Sequence, residues 1–393
     1  MSTADVWPVG PGEILARVAV ELPTEVNPVG QVPRDTSGTP SGMGSVPALL
    51  PAAATLPDPT LPLGVFNGGF TVFGQARTVM GFNLPQAGTD YRINGGCGAA
   101  MDLDAFFARL PTNTVVRVFF GQDGTINTAD GSRDWRALDN IVRAAAESPS
   151  QPLLVVGLTN QFGICDGGTF KGFDWLAGGF RYDADPVIGR VPYWDFLHEL
   201  MARYGSAPSI VMWEPAGEPE ASTCAGVVDC WGANLSCRPD ATDALAVFFD
   251  AVAPVIRAGS PGRLIGSGAI GGGQCGWTGP TGAALERSDH IDVLSVHEYT
   301  EGPGLDSIGL TTVQRANEIG KPVLFGELGM SARAGLAGCR DPAERAVFLE
   351  QKIAAATALG ADGFLLWAYG NGSRICNTDM DDADPALRLV FGP

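Results

Sequence analysis

The sequence predicts an α/β fold: a (β/α)8 TIM barrel over residues 61–393, preceded by a Pro-rich, extended N-terminal segment over residues 1–60. Three observations carry that expectation. After residue 63, eight short apolar runs with strand character recur, most of them separated by segments of helical period. Strands alternating with helices build a parallel sheet, and eight such units close into one barrel domain. Carboxylates, aromatics and hydrogen-bonding side chains gather at the C-terminal ends of those runs, the face on which such barrels place their chemistry.

The elements follow in order. Residues 1–60 carry ten prolines with Gly, Ser and Thr between them, a composition that builds no core of its own. We expect this segment to serve attachment or assembly. From Leu63 the run LGVFNGGFTVFG alternates apolar residues about Asn67-Gly68, the signal of a tight hairpin. The eight barrel strands are expected at Val79–Leu84, Thr114–Phe120, Leu153–Leu158, Ile210–Trp213, Arg263–Ser267, Val293–His297, Pro322–Phe325 and Gly363–Trp367. Helical patterns lie at Asp102–Leu110, Asp134–Glu147, Tyr193–Tyr204, Thr242–Ala258, Ser307–Ile319 and Pro342–Leu359. Pro342 at a first turn and Gly360 just past a last turn fit helix ends. The connections after the first and fifth strands are less clearly helical.

Composition narrows the function. Hydrophobic residues make up 45% of 393, enough for a large packed core. The net charge is −18 with only 25 Lys and Arg, which disfavours nucleic acid and anionic membrane surfaces as partners. A neutral polysaccharide is compatible with that charge. No window offers the ~18 uncharged apolar residues of a membrane span. The first residues, MSTADVWPVG, show neither a basic nor an apolar signal region, so no export signal is visible. The cysteines point the other way. Cys97, Cys165, Cys224, Cys230, Cys237, Cys275, Cys339 and Cys376 all fall in Gly-, Asp- or Ser-rich stretches outside the expected strands and helices. An even number in loops suggests disulfides and an extracellular destination, and the absence of any Cys-x-x-Cys pair disfavours zinc. No metal or cofactor is expected.

The stretch Ser209 to Glu220, SIVMWEPAGEPE, runs from a buried strand into a loop broken by Pro215 and Pro219, with Glu214 and Glu218 beside them. A second acid, Glu327, stands near the seventh strand end. Around these two lie Asn83, Arg117, Asn160, His297, Tyr299 and Trp367. Two carboxylates, hydrogen-bonding side chains and an aromatic platform suit glycoside hydrolysis, in which one acid protonates the leaving oxygen and the other attacks the anomeric carbon. Arg117 and Tyr299 are placed to keep Glu327 ionised. Each residue also has a bland reading: Arg117 as a structural ion-pair partner, His297 as a core histidine, Trp367 as core, and both asparagines as strand terminators. Their joint placement at matching strand ends is what the bland readings explain poorly.

These residues carry a family resemblance. WEPAGEP at 213–219 resembles the Trp-Glu-x-x-Asn-Glu-Pro signature of clan A glycoside hydrolases, family 5 in particular. VVRVF (115–119), LTNQF (158–162), VHEY (296–299), PVLFGELG (322–329) and LLW (365–367) are similar to that family's other strand ends, in the same order. The resemblance spans residues 63–393 and is nearest to endo-β-mannanases. It implies a retaining mechanism with Glu218 as acid/base and Glu327 as nucleophile. Arg117, His297, Tyr299 and Trp367 would then surround the −1 sugar. In one position the chain departs from the pattern: Gly217 stands where the family has the Asn that holds the sugar 2-hydroxyl, and Asn160 or Gln161 is a candidate substitute. A non-catalytic carbohydrate-binding or structural module is the second reading, distinguished by retaining a glycan without cleaving it. A bacteriophage tail protein, joined to other virion subunits through residues 1–60, would combine the cysteines with the missing export signal.

Overall fold

The computed structural model describes residues 56–85, 87, 101–127, 129–183, 189–224, 230, 234–370 and 376–392. Most of the expected attachment segment and Cys97 lie outside the described residues. The first elements are a hairpin, β1 (Gly64–Phe66) and β2 (Gly69–Val72), with a two-residue strand β3 (Gln75–Ala76) on its far edge. Asn67 and Gly68 take φ of 51° and 79°, and Phe66 pairs with Gly69. This is the two-residue turn whose left-handed backbone suits Asn-Gly.

Eight parallel strands form the barrel: β4 (Val79–Asn83), β5 (Val115–Phe119), β6 (Leu153–Gly157), β7 (Ile210–Glu214), β10 (Leu264–Ile265), β11 (Leu294–Glu298), β12 (Val323–Leu328) and β13 (Gly363–Leu366). Each pairs with its neighbour in sequence order, and β13 pairs with β4. The ring closes between β10 and β11 through the parallel bridge Gly266–Val293, supported by Ser267 N–H donating to Val293 O at 2.9 Å. The main helices are α1 (Leu103–Ala108), α2 (Arg136–Glu147), α4 (Tyr193–Tyr204), α5 (Ala241–Gly259), α7 (Ser307–Ile319) and α8 (Pro342–Ala358), with a short α3 (Phe173–Leu176) ahead of α4. Asp102, Asp306 and Asp341 cap the N-termini of α1, α7 and α8 through their carboxylates. After β10 a helix does form, α6 (Gly279–Glu286); its Gly-rich approach hides the periodicity that would have announced it. A short α9 (Arg388–Phe391) ends the described chain.

Strand alternation divides the core in two. Outward side chains such as Phe82, Val116, Leu154, Trp213, Phe325 and Phe364 pack under the helices. Inward ones, Val79, Val115, Leu153, Val155, Met212, Val293, Leu324 and Leu365, fill the barrel, joined by Leu63, Phe70 and Val72 of the hairpin. The hairpin thus plugs the N-terminal mouth and leaves the C-terminal mouth to the chemistry. Asp362, just before β13, ties it down by accepting from Phe70 N–H at 2.6 Å.

The loop after β7 holds an antiparallel ribbon, β8 (Ser222–Cys224) with β9 (Leu235–Cys237). Cys224 and Cys237 therefore end short strands, a correction to the expectation that every cysteine lies outside regular structure. Bonds join Cys224 to Cys230, Cys237 to Cys275 and Cys339 to Cys376, and Cys165 is also disulfide-bonded.

Candidate active site

Barrel register assembles the site. Asn83 and Arg117 are direct partners across β4 and β5, and His297 faces Glu327 across β11 and β12. The second pairing follows a register shift between Val296 and His297, a bulge of the kind that re-aims side chains at barrel rims. β12 extends three residues beyond the expected Phe325, so Glu327 sits inside the strand. Glu214 likewise ends β7 and points inward by the same parity as Met212.

Arg117 is fully buried at the centre. Its Nε donates to Glu214 Oε2 at 2.6 Å, and its Nη1 donates to Glu327 Oε1 at 2.6 Å and Asn83 Oδ1 at 3.0 Å. The Phe119 ring supports the guanidinium from 4.6 Å. Burial alone would weaken the cation, but the two carboxylates outweigh it and raise the guanidinium's pKa further. Burial pushes Glu327 up as well, and here His297, Arg117 and the Tyr299 hydroxyl win, holding its carboxyl below the usual range. Tyr299 Oη donates to Glu327 Oε2 at 2.5 Å. Burial, with the Glu327 charge adding to it, drives that phenol far above its ordinary value, so it remains a donor.

Glu218 lies on the loop after β7 with a φ of 55°. Its Oε1 is 2.7 Å from His297 Nδ1, which is 3.4 Å from Glu327 Oε2. Burial lowers the imidazole's pKa, but its two carboxylate neighbours outweigh this and raise it. One oxygen of each carboxylate and a ring nitrogen of His297 all lie within 4.8 Å of one another. That spacing would also suit a metal, but both Glu327 oxygens already accept hydrogen bonds from Arg117 and Tyr299. A second group, Glu220 with Cys237 and Cys275, has its sulfurs tied in a disulfide.

Four of the other residues are placed as follows. Trp367 follows β13, half-buried and edge-on to Phe119 at 6.3 Å. Asn83 is wholly buried: its amide donates to Gly326 O at 2.8 Å and accepts from Arg117, so it orients the arginine instead of facing the cleft. Asn160 spends its side chain on its own loop, bonding Ile164 O at 2.8 Å and Ile164 N–H at 3.0 Å. Gln161 Nε2 donates to Glu220 Oε2 at 3.3 Å and makes no hydrogen bond to Glu218 or Glu327. Neither amide therefore stands in for the Asn absent at 217. Glu214, which carries no role in the sequence reading, proves to be Arg117's second anchor; its inward parity with Met212 is the signal that marks it.

A cavity of about 710 Å³ is lined by Phe170, Lys171, Trp175, Tyr182, Arg190 and Ser222 among others. None of the eight expected site residues lines it. Ser222 on its wall accepts from Gln161 Nε2 at 3.4 Å.

No protein-family model matches the chain, and no curated protein matches it. Solved structures do. The endo-1,4-β-mannanase of Rhizomucor miehei superposes with a TM-score of 0.57 at 17% identity, covering 84% of this chain and 97% of that one. The endo-β-1,4-mannanase of Thermotoga petrophila gives 0.55 at 17% identity, covering 81% and 76%. A glycoside hydrolase family 5 mannosidase from Rhizomucor miehei gives 0.55 at 16%, covering 83% and 94%. The chain is therefore a (β/α)8 barrel of the same fold as family 5 mannan-degrading glycoside hydrolases.

Proposed function

We propose that this protein is a retaining glycoside hydrolase of the clan A, family 5 type, acting on a β-linked polysaccharide such as mannan or a cell-envelope glycan. The observation that carries the reading is the short gap between two carboxylates in opposite settings. Oxygens of Glu218 and Glu327 come within 4.8 Å, nearer the ~5–5.5 Å of retaining enzymes than the ~6.5–9.5 Å that admits a water between the groups. Glu327 is clamped and ionised by Arg117 and Tyr299, as a nucleophile requires. Glu218 sits on a loop with His297 as its side-chain partner, as a proton carrier requires.

In the first step Glu327 attacks the anomeric carbon. The glycosidic bond breaks, its electron pair leaves with the oxygen, and Glu218 supplies that oxygen's proton. In the second step water attacks the glycosyl ester, Glu218 takes its proton, and Glu327 is released as carboxylate. Arg117 and Tyr299 stabilise that carboxylate as it leaves. The enzymes named above support a mannan-like substrate. The disulfides support an extracellular setting. Residues 1–60 would attach the barrel to an extracellular assembly such as a phage tail.

The test is mutational. Glu327→Ala should abolish turnover on every substrate. Glu218→Ala should still be glycosylated by an aryl glycoside with a good leaving group, accumulate the intermediate, and be accelerated by azide. Product analysis by NMR should show retention at the anomeric carbon. Inversion, or full activity in Glu327→Ala, would refute the assignment. Gly217 favours one alternative, a glycan-binding module; polysaccharide retained on an affinity gel without release of reducing ends would select it.

A further inference from the structure

The five residues 215–219 that carry Glu218 are held by donors and acceptors from two other loops and from the first residue of α4. Pro215 O accepts from Tyr193 Oη at 2.8 Å, and Gly217 O from Gln161 N–H at 3.0 Å. Glu218 O accepts from Gln274 Nε2 at 3.1 Å, and Pro219 O from Trp277 Nε1 at 2.7 Å. The Gly217 and Glu218 amides donate to Thr159 O at 2.8 Å and Gly268 O at 2.7 Å. Such bracing has a reason. A left-handed φ of 55° at a residue with a side chain costs on the order of 1 kcal/mol or more, and persists only where neighbours over-determine it.

Gln274 stands out among these partners. It is 6% exposed, and both ends of its amide are engaged, since Oε1 accepts from Ile270 N–H at 2.9 Å. Ile270 O in turn accepts from His297 N–H at 2.8 Å. His297 then meets the Glu218 carboxylate at 2.7 Å. A circuit therefore runs from the Glu218 backbone through Gln274 and Ile270 to His297 and back to the Glu218 side chain. The neighbouring Cys275 is bonded to Cys237 on β9, and its N–H donates to Glu220 Oε1 at 3.1 Å. The segment from Gly268 to Trp277 is thus anchored on both sides of the Glu218 loop.

We propose that Gln274 is a positioning residue for proton transfer: it fixes the backbone of Glu218 so that the carboxyl meets His297 and the cleavage point together. This rests on the acid/base reading of Glu218. Because the Gln274 amide bonds the Glu218 backbone directly and makes no hydrogen bond to Glu327, its loss should harm the steps that need Glu218 more than nucleophilic attack.

The experiment compares the parent, Glu218→Ala, Gln274→Met and Trp277→Phe on two β-glycosides of one sugar, one with a dinitrophenyl and one with a methylphenyl leaving group. Gln274→Met keeps length and burial but removes both hydrogen bonds. It should lower kcat/KM on the methylphenyl glycoside by about 10- to 100-fold and on the dinitrophenyl glycoside by less than about 2-fold. Azide should restore part of its dinitrophenyl kcat. Trp277→Phe, which leaves the neighbouring carbonyl unpaired, should show the same selectivity at smaller size and reads the effect if Gln274→Met does not fold. Equal losses on both glycosides, or none, in folded variants overturn the positioning role. Glu218→Ala without leaving-group selectivity, or a parent that cleaves neither glycoside, overturns the acid/base reading and this inference with it.

Discussion

Replacing Arg117 by Met would remove the only cation that the buried carboxylates Glu214 and Glu327 share among the described residues. Their side chains are 0% and 7% exposed, and each loses a 2.6 Å ion pair. Breaking a buried pair from one side costs about 3–5 kcal/mol, because the remaining charge stays buried. The loss should depend on pH in a fixed direction. In the parent, the depressed Glu327 pKa contributes stability that is present above the carboxylate's unfolded value and is lost as pH falls through the folded one. Without Arg117 part of that contribution is lost and the Glu327 carboxyl titrates higher, with His297 and Tyr299 still opposing the effect of burial. The destabilisation should be largest near neutral pH and shrink as pH falls and the Glu327 carboxyl protonates. Urea denaturation of parent and variant at several pH values measures this, and the acid limb of kcat/KM should move to higher pH. Adding Glu214→Gln should recover more than about 1 kcal/mol of stability but not the activity, since it removes one orphaned charge and leaves Glu327 without its cation. A stability loss independent of pH, or an acid limb that does not move, would refute the account of Arg117 as a group that helps to keep Glu327 ionised.

Three further outcomes follow from particular contacts. Asp362 under the hairpin is pushed up to about 6 by burial, so its contribution to stability is full below its ordinary value of 3.8 and is lost as pH rises through about 6. Asp362→Asn should therefore match the parent near pH 4 and exceed it at pH 7 by about 1–2 kcal/mol after allowance for partial exposure; a lower Tm at pH 7 would contradict this. At Gly217 an added Cβ would meet Arg117 Nη2, Thr159 O and Asn160 Cβ at 3.4–3.6 Å, ordinary contact. Gly217→Asn should fold with a Tm within about 2 °C of the parent, and should raise kcat/KM on β-mannan if that is the substrate; a loss there would direct the search to another sugar. Deleting residues 1–55 should leave a cooperative melt and unchanged activity, and an insoluble or inactive product would make that segment part of the barrel.

Much of this molecule was legible in the chain. The hairpin at Asn67-Gly68, the eight strands and six of the helices follow from local pattern, because a two-residue turn, a buried strand and an amphipathic helix each write their period into a few neighbouring residues. The candidate residues were legible for the same reason, since a barrel displays strand ends on one face. The fifth strand is shorter than expected: only Leu264 and Ile265 pair regularly, and a single bridge closes the ring beside them.

What the chain does not write locally is who meets whom across it. Asn83 orients Arg117 and Asn160 closes its own turn, although both read as strand-end hydrogen bonders. Cys237 finds Cys275, and Gln274 finds the backbone of Glu218, across separations of 38 and 56 residues. The bulge that brings His297 opposite Glu327 is likewise invisible in sequence. These features depend on the register of strands that meet only when the barrel closes and on hydrogen bonds made between loops, so no local periodicity records them; tertiary closure alone decides them.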